Sequence, residues 1–479
     1  TLFADFDFRV AEEVIVCIRP GEERKKYAAL LKEGNQQIQI RMCETYFRRY
    51  DNGISDFSGK KVYVWGTGRS AETFVSNCDI AKNIEGYIDS YKQISEFKEK
   101  PVITFEKIKK EKDIFIVIAV NNCKQIEETL RKHGYEHDRD YARWGEILWN
   151  PANMLKKVFF SQDRYDFACD TMLNHLEISG WGNTRTCCTT FVKADIGNYL
   201  DNDLSSIWNG KKSIVHQILA LSTQNRTYAY CDKTMCPLFE GRKKEKIETA
   251  EINPYNDISD YPEVVAVGFD KTCNMTCETC RDRLYGATGE EKRKAEQIGE
   301  KICDEILPHC KFLIMAGDGE VFASPAYKRI WNGKEIQQVK YIRLLSNGTL
   351  FNRENWERFA QANAGAKVML TVSIDAATPA TYETIRRYGN FNQLKENMKY
   401  AGELRAKGKL AYFRMNFVVQ KKNMEEMIPF VKWGIETGAD RVFFTKILNW
   451  GTYEEKEFRE EISVMKKDGI TPIPELREI

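Results

Sequence analysis

The chain has 479 residues, with 72 Lys and Arg against 70 Asp and Glu and a formal charge of +2. That length supports two to four domains with separate cores, and so even a charge balance leaves no electrostatic footprint for nucleic acid or an anionic membrane. The longest apolar run, Ile114 to Val120, is strand length and too short to cross a bilayer, so neither a membrane nor a nucleic acid is expected as partner. No charged-then-apolar leader opens the sequence, which begins with Thr rather than Met, so the natural N-terminus is expected to be missing. Fourteen cysteines without an export signal point to a reducing cytoplasm. There, Cys17, Cys43, Cys78 and Cys123 read as core residues and others as metal ligands.

Residues 1–55 form an N-terminal segment whose stretch 22–50 repeats apolar residues near helical period. Residues 56–150 follow as an α/β domain. A strand at 62–65 runs into Gly66-Thr67-Gly68-Arg69-Ser70-Ala71 and a helix, and a second strand (85–88) ends at Asp89. Further strands are expected from Pro101 and over 113–120, then a helix over 124–132. Glycines in such a turn permit close backbone approach, the helix start attracts phosphate, and an acid some twenty residues on can hydrogen-bond a ribose. Gly66, Gly68 and Asp89 are therefore candidate ligand residues. The pattern resembles the small Rossmann-like domains found beside sugar-modifying enzymes. That resemblance implies either a bound nucleotide or nucleotide-sugar, or a purely structural module.

Asn150-Pro151 marks a boundary, and residues 151–245 change character. Cys169, Gly182 and the Cys187-Cys188 doublet come first; Ile196-Gly197-Asn198 and Ile207-Trp208-Asn209 follow, then a helix-like stretch over 204–221, Cys231 and Cys236. Four spaced thiols suit a structural zinc ion or an iron–sulfur cluster. Residues 246–262, charged and broken by Pro254 and Pro262, read as a linker.

From 263 strands and helices alternate. Strands are expected at 264–269, 311–316, 340–345, 367–374, 411–419 and 440–445, with helices near 290–307, 325–331, 353–362, 391–407 and 424–437. Six such repeats require parallel strands with right-handed crossovers, and chemistry belongs at their C-terminal ends. Cys273, Cys277 and Cys280, spaced C-x3-C-x2-C, follow the first strand. Three thiolates on one loop can hold three irons of a four-iron cubane and leave the fourth open to a small molecule. The same thiols could join a zinc site if Asp270, Glu278 or distant His309 supplied a fourth ligand. Gly317-Asp318-Gly319-Glu320 follows the second strand, Ser346-Asn347-Gly348 the third, and Ser373 and Asp375 the fourth, with Arg386 beyond.

In that order the motifs resemble the radical S-adenosylmethionine (SAM) enzymes. The resemblance implies a partial (β/α)6 TIM-like barrel over 263–450 followed by a tail, 451–479. It also implies that Cys273, Cys277 and Cys280 hold a 4Fe-4S cluster whose open iron binds SAM. Gly317, Gly319 and Glu320 then match the element that receives SAM's amino group, with Val321 where the family has proline. Ser346 and Asn347 match its T-N-G turn, and Ser373 and Arg386 hold ribose and carboxylate. Thr279 departs from the aromatic residue usual before the third cysteine. The earlier cysteine segment resembles the SPASM/Twitch modules of the same enzymes, although those usually follow the barrel. It implies an auxiliary 4Fe-4S cluster on Cys169, Cys187, Cys231 and Cys236, with Gly182 at a hairpin.

The expected activity is reductive cleavage of SAM to a 5′-deoxyadenosyl radical that takes hydrogen from a substrate, fed by a flavodoxin- or ferredoxin-type electron donor. The auxiliary cluster would support net oxidation or bond formation. The glycine-turn module favours a carbohydrate or nucleotide-linked small molecule as substrate. The alternatives are a peptide or protein, as for many SPASM relatives, and a non-catalytic zinc scaffold. No catalytic base stands out; Asp318, Tyr412 and Lys446 are candidates by placement alone.

Overall fold

The computed structural model describes residues 60–477 except 78–82, 90–93, 121–122, 138, 150–153, 155–156, 159–160, 162, 193, 209–213, 234–235, 240, 243, 247–258, 316, 450–451, 455–456 and 467–470. The helix expected over 22–50, Cys17, Cys43, Cys78 and most of the 246–262 linker lie outside the described residues. The chain divides into two compact units. One comprises residues up to Asp170 with Thr190–Ala194 and Ile214–Asp257; the other comprises Thr171–Thr189, Asp195–Ser213 and Ile258–Ile479. The segment 151–245 thus contributes to both.

The first unit is built on β1 (Lys61–Trp65), α1 (Arg69–Asn77), β2 (Ile84–Ile88), β3 (Glu96–Phe97), β4 (Lys100–Ile103), β5 (Ile114–Ile118), α2 (Lys124–Lys132), β6 (Tyr141–Arg143) and α3 (Trp144–Leu148). Its sheet runs β3-β4-β2-β1-β5-β6 and is parallel except for β3. Alternate residues of β1 enter two different cores. Val62 and Val64 pack with Phe74 and Val117 on one face, and Tyr63 and Trp65 with Ile116 and Leu130 on the other. A sheet buried on both faces needs apolar strands throughout, and all five residues of β5 are buried. The unit also contains a short antiparallel pair, Asp163–Tyr165 with Lys244–Lys246, and the helix Ile214–Gln224.

The second unit holds β7 (His175–Ser179), β8 (Asn183–Arg185), β9 (Gly197–Asn198), α4 (Leu204–Trp208), β10 (Val264–Gly268), α5 (Gly289–Lys301), β11 (Phe312–Met315), α6 (Pro325–Asn332), β12 (Tyr341–Ser346), α7 (Arg353–Ala362), β13 (Lys367–Ser373), α8 (Pro379–Ile385), α9 (Phe391–Ala406), β14 (Tyr412–Val419), α10 (Met427–Glu436) and β15 (Arg441–Lys446). One sheet joins its strands in the order β9-β8-β7-β10-β11-β12-β13-β14-β15. From β7 across to β15 every pairing is parallel. The hairpin β7–β8 turns through Trp181 and Gly182, both at positive φ. A Cβ on Gly182 would meet Asn198 Oδ1 at 3.0 Å, which accounts for the glycine.

Period-two alternation assigns the faces. Val265, Val267, Leu313, Met315, Ile342, Leu344, Val368, Leu370, Phe413, Met415 and Phe417 are buried. Between them Ala266, Ile314, Arg343, Arg414 and Asn416 take the opposite face and are only half-buried. Among the described residues no helix is long and apolar enough to cross a membrane.

Candidate functional site

The loop after β10 carries the three cysteines and is tied down from several sides. Asp270, 3% exposed, starts it: its Oδ1 accepts from Thr272 N at 2.9 Å and Thr272 Oγ1 at 2.8 Å, and its Oδ2 from Ser324 Oγ at 2.6 Å. The loop after β11 packs against it so closely that a Cβ on Gly319 would lie 2.3 Å from Asp270 O and 2.7 Å from Thr272 O. Glu320 N then donates to Thr272 O at 2.9 Å. On the other side Thr276 N donates to Arg387 O and Glu278 N to Ile385 O, while Arg387 Nε returns a bond to Thr276 O at 2.8 Å. Cys273 N donates to Tyr285 O at 2.9 Å, and Cys280 N to Cys277 O at 2.9 Å.

Cationic groups surround the thiols. Arg386 Nη1 lies 3.4 Å from Cys277 Sγ, and Arg281 Nε and Nη2 each lie 3.4 Å from Cys280 Sγ. Asn347 Nδ2 lies 3.8 Å from Cys273 Sγ. Burial opposes the charge on Arg281, but contact with Cys280 and the negative potential of all three sulfurs hold it protonated. Burial is also the main influence raising the pKa of the Cys273 thiol, with Glu320 adding to it.

The strand-end motifs converge on this loop. Glu320, 1% exposed, accepts from Ser346 Oγ at 2.8 Å and Phe322 N at 3.3 Å on one oxygen and from Asn347 N at 2.7 Å on the other. Burial raises its pKa and those hydrogen bonds oppose the rise. Here it links two strand-end loops. Asn347 Nδ2 reaches Asn274 Oδ1 at 2.9 Å, and Asn347 Oδ1 accepts from Thr349 Oγ1 at 2.6 Å. Gly317 faces Gly268, whose Cβ would sit 3.5 Å from its Cα. Ser373 ends β13 beside Asn416. Asp375, at φ 67°, takes Arg386 Nη2 at 2.5 Å on one oxygen and Val418 N at 2.8 Å on the other.

Two features had no sequence-level expectation. Helix α8, capped by Thr378 with Pro at its start and held by Glu426 through Thr378 N and Oγ1, presents Tyr382. That residue is fully buried with no hydrogen-bond partner for its hydroxyl. Burial raises its pKa; Arg386 opposes the rise, and Cys277, Asp375 and Glu320 add to it. The Thr-Pro pair was the available signal. Of the base candidates, Asp318 follows β11 and Lys446 ends β15, at the strand ends that carry the cysteines. Tyr412 begins β14 and so lies at the opposite end.

Three side chains that could complete a zinc site have other partners. Asp270 is bonded as above, Glu278 takes Lys422 on Oε1 at 2.6 Å while its Oε2 is buried without a partner, and His309 stacks on Tyr261. Among the described residues no three His, Cys, Asp or Glu groups gather as one metal ion needs. A cubane places each thiolate on a separate iron, so its ligands stand further apart than those of one ion. Cationic neighbours suit the negative charge of a thiolate-bound cluster, and Arg386 Nε is buried without a partner, as an anion-binding group would be. The residues fit a cluster and the carboxylate of a bound cofactor.

The chemistry of the loop agrees with the family comparisons. Residues 269–434 match the Radical SAM superfamily and 169–237 the SPASM iron–sulfur cluster-binding domain. The chain carries a radical SAM domain and a SPASM domain. Iron–sulfur and SAM binding follow from that pair. Residues 58–140 match the N-terminal domain of the C2185-like family. No match is found among curated proteins.

Among solved structures, SuiB of Streptococcus suis bound to its precursor peptide SuiA aligns at 16% identity and TM-score 0.30, over 43% of this chain and 42% of SuiB. Native anSMEcpe with AdoMet and the Kp18Cys peptide aligns at 19% and 0.31, over 41% of this chain and 54% of its own. The matched part thus spans about half of either protein, and superpositions this loose carry no functional inference.

Cys169, Cys231 and Cys236 of the SPASM segment pack on the aromatic cluster of Tyr165, Tyr228 and Phe239 in the first unit. Cys187 follows β8 in the second. In the first unit the glycine turn has structural partners. A Cβ on Gly66, at φ +122°, would meet Ala119 O at 2.7 Å, whereas one on Gly68 would meet nothing within 4 Å. Thr67 Oγ1 donates to Asp89 Oδ2 at 2.6 Å, which occupies one oxygen of the expected ribose acid.

Proposed function

We propose that the chain is a radical SAM enzyme acting on a peptide or protein, with the six parallel strands β10–β15 forming a partial barrel. Cys273, Cys277 and Cys280 would hold the catalytic cluster, and Cys169, Cys187, Cys231 and Cys236 an auxiliary one. When bound, cluster and SAM supply a 5′-deoxyadenosyl radical able to take hydrogen from a substrate. The chain's own residues position and shield. Arg386, kept charged by Asp375, offers an unpaired Nε for a carboxylate; Asn347 and Arg281 steady the sulfurs; Gly319 lets two loops close over the site; Tyr382 and the buried strand ends limit water. An external flavodoxin- or ferredoxin-type protein would deliver the electron.

The observation carrying the reading is the convergence of Arg386, Arg281 and Asn347 on the three thiols. The peptide substrate is preferred for two reasons. Many SPASM relatives modify peptides, and the glycine turn that favoured a nucleotide-linked substrate is explained by packing at Gly66 and the Thr67–Asp89 bond. A Rossmann-like role for the first unit then remains architectural.

Anaerobic reconstitution with iron and sulfide, followed by dithionite and SAM, is the test. Release of 5′-deoxyadenosine, with bound iron roughly halved in Cys277→Ala, supports the reading. A colourless, zinc-loaded protein releasing none would reject it.

A further inference from the structure

One sheet face of the second unit carries three arginines, half-buried Arg343 and Arg414 and exposed Arg441, that no ion pair balances. Arg414 on β14 lies directly opposite Arg441 on β15. Arg343 stands on β12 level with Met369, which pairs with Tyr412 two residues before Arg414. The guanidinium of Arg414 lies 4.3 Å from the centroid of Phe443 and that of Arg441 4.9 Å from the same ring. Arg343 lies 5.3 Å from the centroid of Phe312. Arg414 Nε donates to Asn416 Oδ1 at 2.6 Å, which orients the guanidinium.

Among the described residues none of the three has an ion-pair partner. The nearest acid in sequence, Asp440, is taken by Arg405 and by Phe413 N. Burial weakens the hold of Arg414 on its proton; Tyr412 offsets this in part, and Arg441 and Arg343 weaken it further. Two like charges sharing one ring, with a third nearby and no counter-charge, cost Coulomb energy that a bound oxyanion would return. Planar guanidinium forks match the two oxygens of a carboxylate or phosphate. The same face continues through Asn416 and Ser373 to the strand ends that bear the cysteines.

We propose that Arg343, Arg414 and Arg441 anchor an oxyanion of the substrate, a carboxylate or a phosphate, on the sheet face beneath the SAM site. This rests on the enzyme reading above and adds the chemical class of group that the substrate presents.

The test uses the full chain, anaerobically reconstituted, in calorimetric titrations with a glutamate-rich peptide and, separately, with pyrophosphate. Each is run at low and at physiological salt. Binding of either probe that weakens with salt, falls at least tenfold in Arg414→Gln and Arg441→Gln, and is partly kept in Arg414→Lys supports the site. Preference for the peptide marks a carboxylate, preference for pyrophosphate a phosphate. Circular dichroism of each variant verifies folding, and the Lys variant keeps the test valid if a Gln variant unfolds. No binding of either probe, or binding indifferent to all three variants, overturns the inference while iron content and SAM cleavage leave the enzyme reading intact. Protein lacking clusters but binding the probes through these arginines would reject the enzyme reading alone.

Discussion

At Gly319 a single hydrogen separates function from collapse. Its missing Cβ lets the loop after β11 rest on the carbonyls of Asp270 and Thr272. Gly319→Ala forces backbone against backbone, where no side chain can swing aside. Chemical denaturation should show a loss of about 3 kcal/mol, the range of severe overpacking. Asp375 carries a comparable load through charge. It and Arg386 are 5% and 13% exposed at their side chains, and Arg386 also lies 3.4 Å from Cys277 Sγ. Asp375→Asn leaves a guanidinium buried without its counter-ion. Equilibrium unfolding should register about 3–5 kcal/mol of destabilisation, and SAM affinity measured by titration should fall with it.

Individual residues were unevenly legible. The cysteine spacing, Gly319 and Arg386 stand in short motifs whose chemistry is local, so sequence reached them. Asp270 read as a spare metal ligand because its true partner, Ser324, lies 54 positions away. The bonds that Glu320 makes within the fold were hidden for the same reason, since they come from another strand's end.

At the level of elements, β10 to β15 fall within a residue or two of expectation because each is an apolar alternation ended by a turn. The helix expected to 307 changes to a wider π-turn at Ile302–Ile306 while keeping both isoleucines buried. Helix α8 went unread: its seven residues are too few to display a period, although Thr378-Pro379 is a start signal. The arginine row was invisible for a different reason, since which side chains share a face depends on the register of strands far apart in sequence.

Strand β7 also makes a pH prediction. His175 begins it, with Nδ1 buried and unpartnered, and burial pushes its pKa down to about 4 against a hydrogen bond that the ring donates to the Thr186 backbone, which works the other way. The folded state therefore binds fewer protons than the unfolded chain between pH 4 and 6.5. Stability contributed by the neutral ring is present above about 6.5 and lost as pH falls toward 4, by roughly 2–3 kcal/mol. Denaturation midpoints across that range should slope accordingly in the wild type and flatten in His175→Gln; equal slopes would remove the residue as the cause.

For the whole molecule, the two units answer different questions. The first has a doubly covered parallel sheet whose glycine turn is used in packing, so nucleotide-sugars should leave the melting temperature of the full chain unchanged. A ligand at a hundred times its dissociation constant would add about 2.7 kcal/mol and shift it by several degrees. Such a shift with any nucleotide-sugar would restore the small-molecule substrate. Domain limits were the least legible feature: the cysteine-bearing stretch 169–237 alternates between units, and no composition change marks where a chain leaves one core for another.

The short segment Ile385–Arg387 grips the cysteine loop through its carbonyls, and Tyr388 just past it is 73% exposed at φ 67°. Stripping the iron with a chelator should slacken that grip. A chymotryptic nick after Tyr388 would then appear in the bleached protein and stay absent from the brown one, giving a gel-based gauge of metal loading.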